Sequence, residues 1–420
     1  MSTSEPTTAK LWFIRTVSIP DVSNLLSLLP SDGGLSWVTG LPGAQTGIVA
    51  WDEIERAEFI GPERFSRATR WWGNWCSATE GDEPIAFTSF AFKPKEANSV
   101  VVVPKFAVRR IDGLCYLTVI GQSFEIDQLL VQALAYLAQI TSEPDGMTNI
   151  TWRDGSQTLE DWQDAVAAAV KRINSGELDK VVLARDIVAQ SDEPLHLGAL
   201  LLRLNLAFPQ CWTFLVDGLI GATPELLVRR ENQKVTSRVL AGTIRRSSNT
   251  NRDDELATEL IESDKDQQEH SYAVDSVADA LARYCTDLEV PEHPFVLQLA
   301  NVQHLATDVT GQLVEPVPVL SLAASLHPSA AVCGTPTERA STIIEELEGL
   351  DRGRYSGPVG WIDASGNGEL GIALRCGLVE GAERKVIRLF AGCGIVAGST
   401  PESELAESNS KFTAMRDVLS

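Results

Sequence analysis

The last segment of the chain places two carboxylates and one ammonium group at helical spacing. Glu404, Glu407 and Lys411 are separated by three and then four residues, so they share one face of a helix. Thr400 followed by Pro401 predicts where this helix begins, because threonine caps helix N-termini and proline suits the first turn. A face of this composition contacts either water or a charged ligand.

Three more charged residues of the second half could take part in chemistry. Lys180 stands at the mouth of a predicted strand, and Glu225 lies in a Thr-Pro-Glu turn between strands. Glu269 lies at the edge of the apolar stripe of a predicted helix. Taken singly, each is typical of a solvated charge. Carboxylates from different elements can converge on Mg²⁺, which prefers oxygen ligands, but periodicity alone does not establish that these do.

Apolar spacing and turn residues predict the elements that would hold these side chains. Residues 11–120 contain short β-like runs, 128–140 is predicted to be helical, and 141–157 is the best candidate linker, which gives parts 1–150 and 151–420. The predicted elements after it are a helix over 158–176, a strand over 178–190, a helix over 197–207, a strand pair over 211–243, a mobile polar loop over 245–255 and one long helix over 254–285.

Charge and cysteine content exclude several classes of protein. The net charge of −22 and the lack of a Lys/Arg cluster argue against nucleic acid and against an anionic membrane surface. Seven scattered cysteines without a CxxC pair are typical of a reduced, cytosolic protein. We find no apolar leader, no run of about 20 apolar residues and no glycine-rich nucleotide motif. We therefore predict a cytoplasmic protein.

Five segments of the second half resemble the chorismate-utilising enzymes, a family that includes isochorismate, salicylate, anthranilate and aminodeoxychorismate synthases. They are DKVVLARD, GATPELL, LAGT with the following ESDKDQQEH, GRYSGPVGW with IALRCG, and AGCGIV with ESELAESNSK. The resemblance covers roughly residues 150–420 in the family's order. It implies a single α+β domain over 10–420, with two facing antiparallel β-sheets and helices outside, so the linker would be an internal connection.

The resemblance also implies a role for each candidate residue. Lys180 matches the general base that activates water for attack at ring carbon C2, and Glu225 matches the acid that protonates the departing C4 hydroxyl. Glu269 and Glu407 match ligands of Mg²⁺, with Glu404 as a further ligand acting through water. The positions that bind or line the substrate are Gly242, Thr243, His304, Ala331, Tyr355, Arg375, Gly392, Gly394 and Lys411.

These residue types suit the chemistry that the resemblance implies. Chorismate is a dianion, so Mg²⁺ and Arg375 would offset its charge and orient its ring. Water is a poor nucleophile and hydroxide a poor leaving group, so one base and one acid are needed. Glu225 can act as that acid only if its pKa is raised, and Lys180 can act as the base only if it is deprotonated more readily than a free lysine.

Two sequence features select among the reactions of the family. Members that use ammonia lack a lysine at position 180 and work with a glutamine amidotransferase subunit, and some carry lysine where this chain has Ala241. We therefore expect water as the nucleophile, chorismate as the substrate, no amidotransferase partner and a monomer.

Ala331 and Val332 stand where members that go on to eliminate pyruvate tend to carry threonine. This favours isomerisation to isochorismate over a salicylate synthase. A non-catalytic chorismate-binding relative would be expected to lack one of Lys180, Glu225, Glu269 or Glu407, and none is missing. Isochorismate feeds menaquinone, catecholate siderophores and salicylate-derived compounds, and no residue selects one of these pathways.

Overall fold

The computed structural model describes residues 11–95, 97–139, 149–247, 249–300 and 302–420. The α-helices in these ranges are α1 Arg64–Ser77, α2 Ile126–Gln139, α3 Leu159–Asn174, α4 Leu197–Ala207, α5 Thr250–Glu262, α6 Asp264–Leu281, α7 Val319–Leu326, α8 Thr337–Leu347 and α9 Pro401–Leu419. The strands are β1 Trp12–Ile19, β2 Leu35–Thr39, β3 Thr46–Phe59, β4 Thr79–Gly81, β5 Ile85–Ser89, β6 Ser99–Ile111, β7 Leu114–Gly121, β8 Ile150–Asp154, β9 Lys180–Ser191, β10 Trp212–Val216, β11 Leu219–Thr223, β12 Leu226–Glu231, β13 Lys234–Arg245, β14 Cys285–Glu289, β15 Phe295–Gln298, β16 Val302–Leu313, β17 Gly334–Thr335, β18 Pro358–Asp363, β19 Gly368–Ile372, β20 Cys376–Glu380 and β21 Val386–Ile395.

The strands form two arms of one hydrogen-bonded network. The first arm runs β4-β1-β7-β6-β3-β2-β10-β11-β20-β21-β9, and β8 and β17 also pair with β9. The second arm runs β5-β18-β19-β12-β13-β16, and β14 and β15 also pair with β16. The arms join where β5 pairs with β6. Among the described strands, pairing is antiparallel except between β1 and β4.

The two arms face each other across a shared core. Trp37 and Phe214 of the first arm belong to the same buried cluster as Val359 and Trp361 of the second. Contact is direct, since a β-carbon on Gly371 of β19 would lie 2.8 Å from the Trp37 ring. Burial of such large side chains is the main favourable contribution to folding. The expected single α+β domain with two facing antiparallel sheets is confirmed, with the sheets continuous at one edge.

Local signals placed several elements correctly. α3 begins at a capping box between Thr158 and Asp161 and is followed by Gly176 at φ 76°, a conformation that favours glycine. α4 and β9 also match the predictions closely. The predicted strand pair over 211–243 is instead the four strands β10 to β13. The turns at 217–218 and 232–233 each reverse the chain, and the chain passes from the first arm to the second at 224–225.

The predicted long helix over 254–285 is wrong. It is two helices, α5 and α6, separated at Ser263, and Cys285 begins β14. Ser263 has extended backbone angles and its hydroxyl accepts a hydrogen bond from the backbone N–H of Asp266, so it caps a new helix. In the predicted loop over 245–255, Arg245 ends β13 and residues 250–255 begin α5. An ion pair of 2.7 Å between Arg246 and Asp253 anchors this connection.

Residues 141–148 of the predicted linker lie outside the described residues. The rest contains β8, which pairs with β9 of the first arm. Pairing between β2 and β10, and between β5 and β18, crosses the proposed boundary at residue 150. These pairings favour the interpretation of 10–420 as one unit.

Candidate active site

One cavity collects most of the predicted residues from distant parts of the chain. It lies where β9, β13, β16 and β21 meet α6, α9 and the turn before β12. Its lining includes twelve predicted residues, namely Glu225, Gly242, Thr243, Glu269, His304, Ala331, Tyr355, Arg375, Gly392, Gly394, Glu407 and Lys411. Lys180 and Glu404 lie directly behind the wall, where both are buried.

α9 turns its charged face inward. Thr400 caps the helix with Pro401 in its first turn, as predicted. Glu404 is 1% exposed, so the face is not a solvated one. The Lys411 ammonium lies 2.6 Å from a Glu407 oxygen and donates a 2.8 Å hydrogen bond to the carbonyl of Gly392. These contacts join α9 to β21, on the wall of the cavity.

Lys180 and Glu269 form a buried ion pair. Lys180 begins β9, between β17 and β21, and its side chain is 0% exposed. Its Nζ lies 3.0 Å from Oε1 of Glu269. Burial alone would raise the pKa of Glu269, but the positive charges of Lys180, Lys411 and Lys265 outweigh it and lower that pKa. Glu269 is therefore an ionised carboxylate at neutral pH.

Gly394 provides the space that this pair needs. A β-carbon there would lie 2.4 Å from Oε1 of Glu269 and 3.1 Å from Cε of Lys180. We expect Gly394→Ala to lower kcat about 100-fold by displacing the carboxylate by roughly 1 Å. The unfolding midpoint should change little, because the displaced atoms end flexible side chains. Steady-state kinetics and thermal unfolding of the variant measure both effects.

The control for this prediction is Gly398→Ala, because nothing lies within 4 Å of a β-carbon at position 398. It should behave like the parent. If the two alanine variants had equal activity, close approach at Gly394 would not matter.

The carboxylates next to β21 suit a divalent cation. Ligand atoms of Cys393, Glu404 and Glu407 lie within 4.8 Å of one another. Among the described residues, Oε2 of Glu404 is buried without a hydrogen-bond partner, an arrangement that costs free energy unless a ligand completes it. Burial and the nearby Glu407 raise the pKa of Glu404. A bound cation would relieve both effects.

Cys393 is absent from the sequence-based prediction, and its chemistry separates it from the carboxylates. Its thiol donates to the backbone carbonyl of Glu404 at 3.4 Å, and burial raises its pKa well above the usual value. A protonated thiol is a poor ligand for a hard cation. The oxygens of Glu404 and Glu407 therefore remain the fitting donors of this group, which does not include Glu269.

Glu225 lines the cavity from the short connection between β11 and β12. The side chain is buried, and this burial raises its pKa to about 8 against the opposing effect of Lys180, Arg375 and Lys411. The raised pKa expected from the sequence is confirmed. Glu225 is thus mostly protonated at pH 7 and can donate a proton.

His304 is held as a neutral imidazole by its partners. The Arg375 guanidinium can only donate, so Nε2 of His304 accepts its 3.0 Å hydrogen bond. Nδ1 then carries the proton, and it faces Thr243 Oγ1 at 2.9 Å and the Gly242 carbonyl at 3.3 Å. Burial, with the charges of Arg375 and Lys411, lowers the pKa of His304 well below its usual value. The Thr243 hydroxyl hydrogen is left available to a ligand.

Tyr355 and Gly392 also line the cavity. The Tyr355 ring stacks on Phe390 with centroids 5.0 Å apart. Its hydroxyl lies 3.1 Å from where a β-carbon of Gly392 would be. Burial raises the pKa of Tyr355 to about 12, so the hydroxyl stays protonated and can donate a hydrogen bond.

Ala331 and Val332 line the cavity beside β9. The buried guanidinium of Arg352 donates to the carbonyls of Val332 and Val182, at 2.9 and 2.7 Å. It is also paired with Glu348 at 2.5 Å. This buried pair fixes the 331–332 segment against the strand that carries the lysine. The ion pair of Arg352 and Glu348 was not predicted from the sequence.

Other residues of the site were not predicted from the sequence. Lys265 and Asp266 lie beside the carboxylates, and both stand in the quoted segment ESDKDQQEH one turn before Glu269. Their helical spacing from Glu269 was the available signal. The cavity also exposes Val182, Pro224, Leu240, Ala241, Ser356 and Leu374.

Comparison with known proteins places the chain in a family. The family described as "Chorismate binding enzyme" matches residues 15–420, and the chain belongs to it. Members of this family use a metal ion, in keeping with the carboxylate cluster. Among the described residues, no helix is long and apolar enough to cross a membrane.

Three relatives illustrate the similarity. Isochorismate synthase DhbC of Bacillus subtilis is 42% identical over 268 residues, which cover 61% of this chain and 67% of the relative. The salicylate biosynthesis isochorismate synthase of Pseudomonas aeruginosa is 32% identical over 410 residues, 90% of this chain and 85% of the relative. The structure of MenF, the menaquinone-specific isochorismate synthase from Escherichia coli, has a TM-score of 0.79, with 27% identity over 97% of this chain and 95% of that chain.

Proposed function

We propose that this chain is an isochorismate synthase, an isomerase that adds water at C2 of chorismate while the C4 hydroxyl departs. The observation that carries the proposal is the pairing of two proton-handling groups at one cavity. Lys180 pairs with Glu269, which lines the cavity, and a largely protonated Glu225 lines the same cavity. The similarity to isochorismate synthases supports the same activity.

The metal of the site is Mg²⁺ in this proposal. Glu269 and Glu407 would hold the ion, with Glu404 as a further ligand. Carboxylate oxygens with retained water are the ligands that Mg²⁺ prefers. When bound, the ion supplies positive charge that neutralises and orients the substrate. The buried, unpartnered oxygen of Glu404 supports this assignment.

The remaining polar groups hold the carboxylates of chorismate. Arg375 and Lys411 offer positive charge, and Tyr355 and the backbone N–H groups of Gly392 and Gly394 offer hydrogen bonds. The fixed imidazole of His304 and the Thr243 hydroxyl orient the ring substituents. Because these donors are held in place before the substrate arrives, little reorganisation is needed during the reaction.

Two residues, Lys180 and Glu225, carry out the proton transfers in this proposal. Lys180 takes a proton from the attacking water. Glu225 gives its proton to the C4 oxygen, so that water departs rather than hydroxide. The raised pKa of Glu225 suits this role, because the acid must be protonated at neutral pH.

Two other functions are less well supported. A salicylate synthase would continue to pyruvate elimination, and the small apolar pair Ala331 and Val332 favours stopping at isochorismate. A non-catalytic relative is disfavoured because Lys180, Glu225 and the three carboxylates are all present. With Lys180 in place, no amidotransferase subunit is needed, and we expect a monomer that works in the cytoplasm.

Product analysis tests this proposal. Purified protein is incubated with chorismate, with and without Mg²⁺, and the products are separated by chromatography. We expect isochorismate alone, formed only when Mg²⁺ is present. Salicylate with equimolar pyruvate would instead identify a salicylate synthase, and unchanged chorismate would identify a non-catalytic relative.

A further inference from the structure

Each carboxylate of the proposed metal site is matched by a lysine, and the three lysines come from three different elements. Two of them, on β9 and α9, are already assigned to catalysis and substrate binding. The third is on α6. The nearest nitrogen-to-oxygen distances are 3.0 Å for Lys180 and Glu269, 2.6 Å for Lys411 and Glu407, and 3.6 Å for Lys265 and Glu404.

Lys265 differs from the other two lysines in its access to water. Its side chain is 44% exposed, whereas those of Lys180 and Lys411 are 0% and 12% exposed. The Lys265 ammonium reaches inward from the rim to Glu404, which is almost fully buried. The Lys265 ammonium can therefore move into solvent at a small cost in free energy. The ammonium groups of Lys180 and Lys411 would first have to pass through the protein interior.

Helix stability does not explain a lysine at this position. Lys265 is the second residue of α6, which begins at Asp264, and a positive charge in the first turn opposes the helix dipole. The nearby carboxylates account for it better. Although burial lowers the pKa of Lys265, Glu404, Glu269 and Glu407 raise it overall, so its charge acts on the whole donor set.

A divalent cation would enter a cluster in which each proposed ligand carboxylate already has an ammonium partner. Three carboxylates are matched by three ammonium groups, so the ion adds two positive charges beside them. We propose that Lys265 is the displaceable counter-ion of the metal site. It pairs with Glu404 when the ion is absent and moves to solvent when the ion binds. This inference rests on the proposed function, because it takes the carboxylates to be the metal ligands.

Binding of Mn²⁺ alone, measured by the electron paramagnetic resonance signal of the free ion, tests the inference without reference to activity. We expect Lys265→Met to bind Mn²⁺ roughly tenfold more tightly than the parent, the order expected for removing one unit charge near the ion in a partly solvated site. Lys265→Arg keeps the charge and should stay within about threefold of the parent. Lys171→Met, an exposed lysine on α3, is the matched control and should match the parent.

Thermal unfolding provides a second measurement. Without metal, Lys265→Met should unfold at a lower temperature than the parent, because Glu404 loses its partner. Saturating Mn²⁺ should then raise its midpoint by more than it raises that of the parent. Lys265→Gln is a second neutral variant for the same comparison.

The outcomes separate this inference from the function on which it rests. Unchanged or weaker Mn²⁺ binding by both neutral variants would overturn the counter-ion role, since a lysine that merely positions Glu404 would weaken binding when removed. Glu404→Gln and Glu407→Gln should each weaken Mn²⁺ binding. If both bound Mn²⁺ as the parent does, or if the parent bound none, the metal site itself would be wrong.

Discussion

Replacing Lys180 is expected to reduce kcat by about 1,000-fold or more, since a general base contributes roughly 10² to 10⁴ in rate. Two variants separate the possible reasons. Lys180→Arg keeps a positive charge beside Glu269 but cannot lose its proton at neutral pH. Lys180→Gln removes the charge and keeps a hydrogen-bonding group. Both should lose activity, because neither can take a proton from water. Initial rates of isochorismate formation measure the effect.

Stability must be checked with the same proteins. Lys180 and Glu269 form a buried pair, and removing one partner of such a pair costs about 3–5 kcal/mol. Denaturant unfolding would identify a variant that is inactive only because it is unfolded. Lys234→Gln, an exposed lysine at the start of β13, should match the parent in rate and stability. An arginine variant that folds and retains a tenth of the parental rate would contradict the role of Lys180 as base.

Glu225→Gln is expected to reduce kcat by roughly 10² to 10⁴, because glutamine cannot donate a proton to the departing oxygen. The pH profile makes the prediction specific. The pKa of Glu225 is raised to about 8, so the parent's kcat/KM should fall as the pH rises through this value and the acid ionises. The residual activity of Glu225→Gln should lack that fall. Glu231→Gln, at the exposed end of β12, should keep the parental rate and profile.

The raised pKa of Glu225 also predicts how the stability of the folded protein changes with pH. A raised folded-state pKa means that the protonated form is favoured in the folded protein. Its contribution is complete below the ordinary value near 4.5 and is lost as the pH rises through about 8. At about 1.4 kcal/mol per pH unit, the loss is at most ~5 kcal/mol. The parent should therefore lose stability relative to Glu225→Gln between pH 5 and 9, as measured by urea unfolding. Parallel curves would show that Glu225 is not buried in its protonated form.

Local signals in the sequence were enough for elements with clear ends. Thr400 and Pro401 placed the start of α9, and Thr158 placed that of α3. The break at Ser263 was missed, although a serine followed three residues later by Asp266 is a capping signal. Continuous polar sequence on both sides of Ser263 favoured one long helix. The pairing of β5 with both β6 and β18 joins distant segments, and short-range periodicity contains no information about it.

The chemistry of the site was harder to predict than its residue types. A glutamate at the edge of an apolar stripe is ordinary, and only the resemblance to a family gave Glu269 a role. The structure adds contacts that spacing cannot supply, such as the close approach at Gly394 and the hydrogen bonds that set the tautomer of His304. Lys265 lies within a segment that resembles the family, but its spacing did not predict its role, because its partner Glu404 is more than a hundred residues away in the chain.

Incubation of the protein with chorismate and Mg²⁺ in water enriched in oxygen-18 tests the central claim most directly. If solvent water attacks C2 while the C4 hydroxyl leaves, mass spectrometry should find one heavy oxygen in isochorismate, at the C2 hydroxyl. Isochorismate that contains only the original oxygens would mean that the C4 oxygen had been transferred within the substrate. That result would contradict the assignment of Lys180 and Glu225 as the base and acid of a water addition.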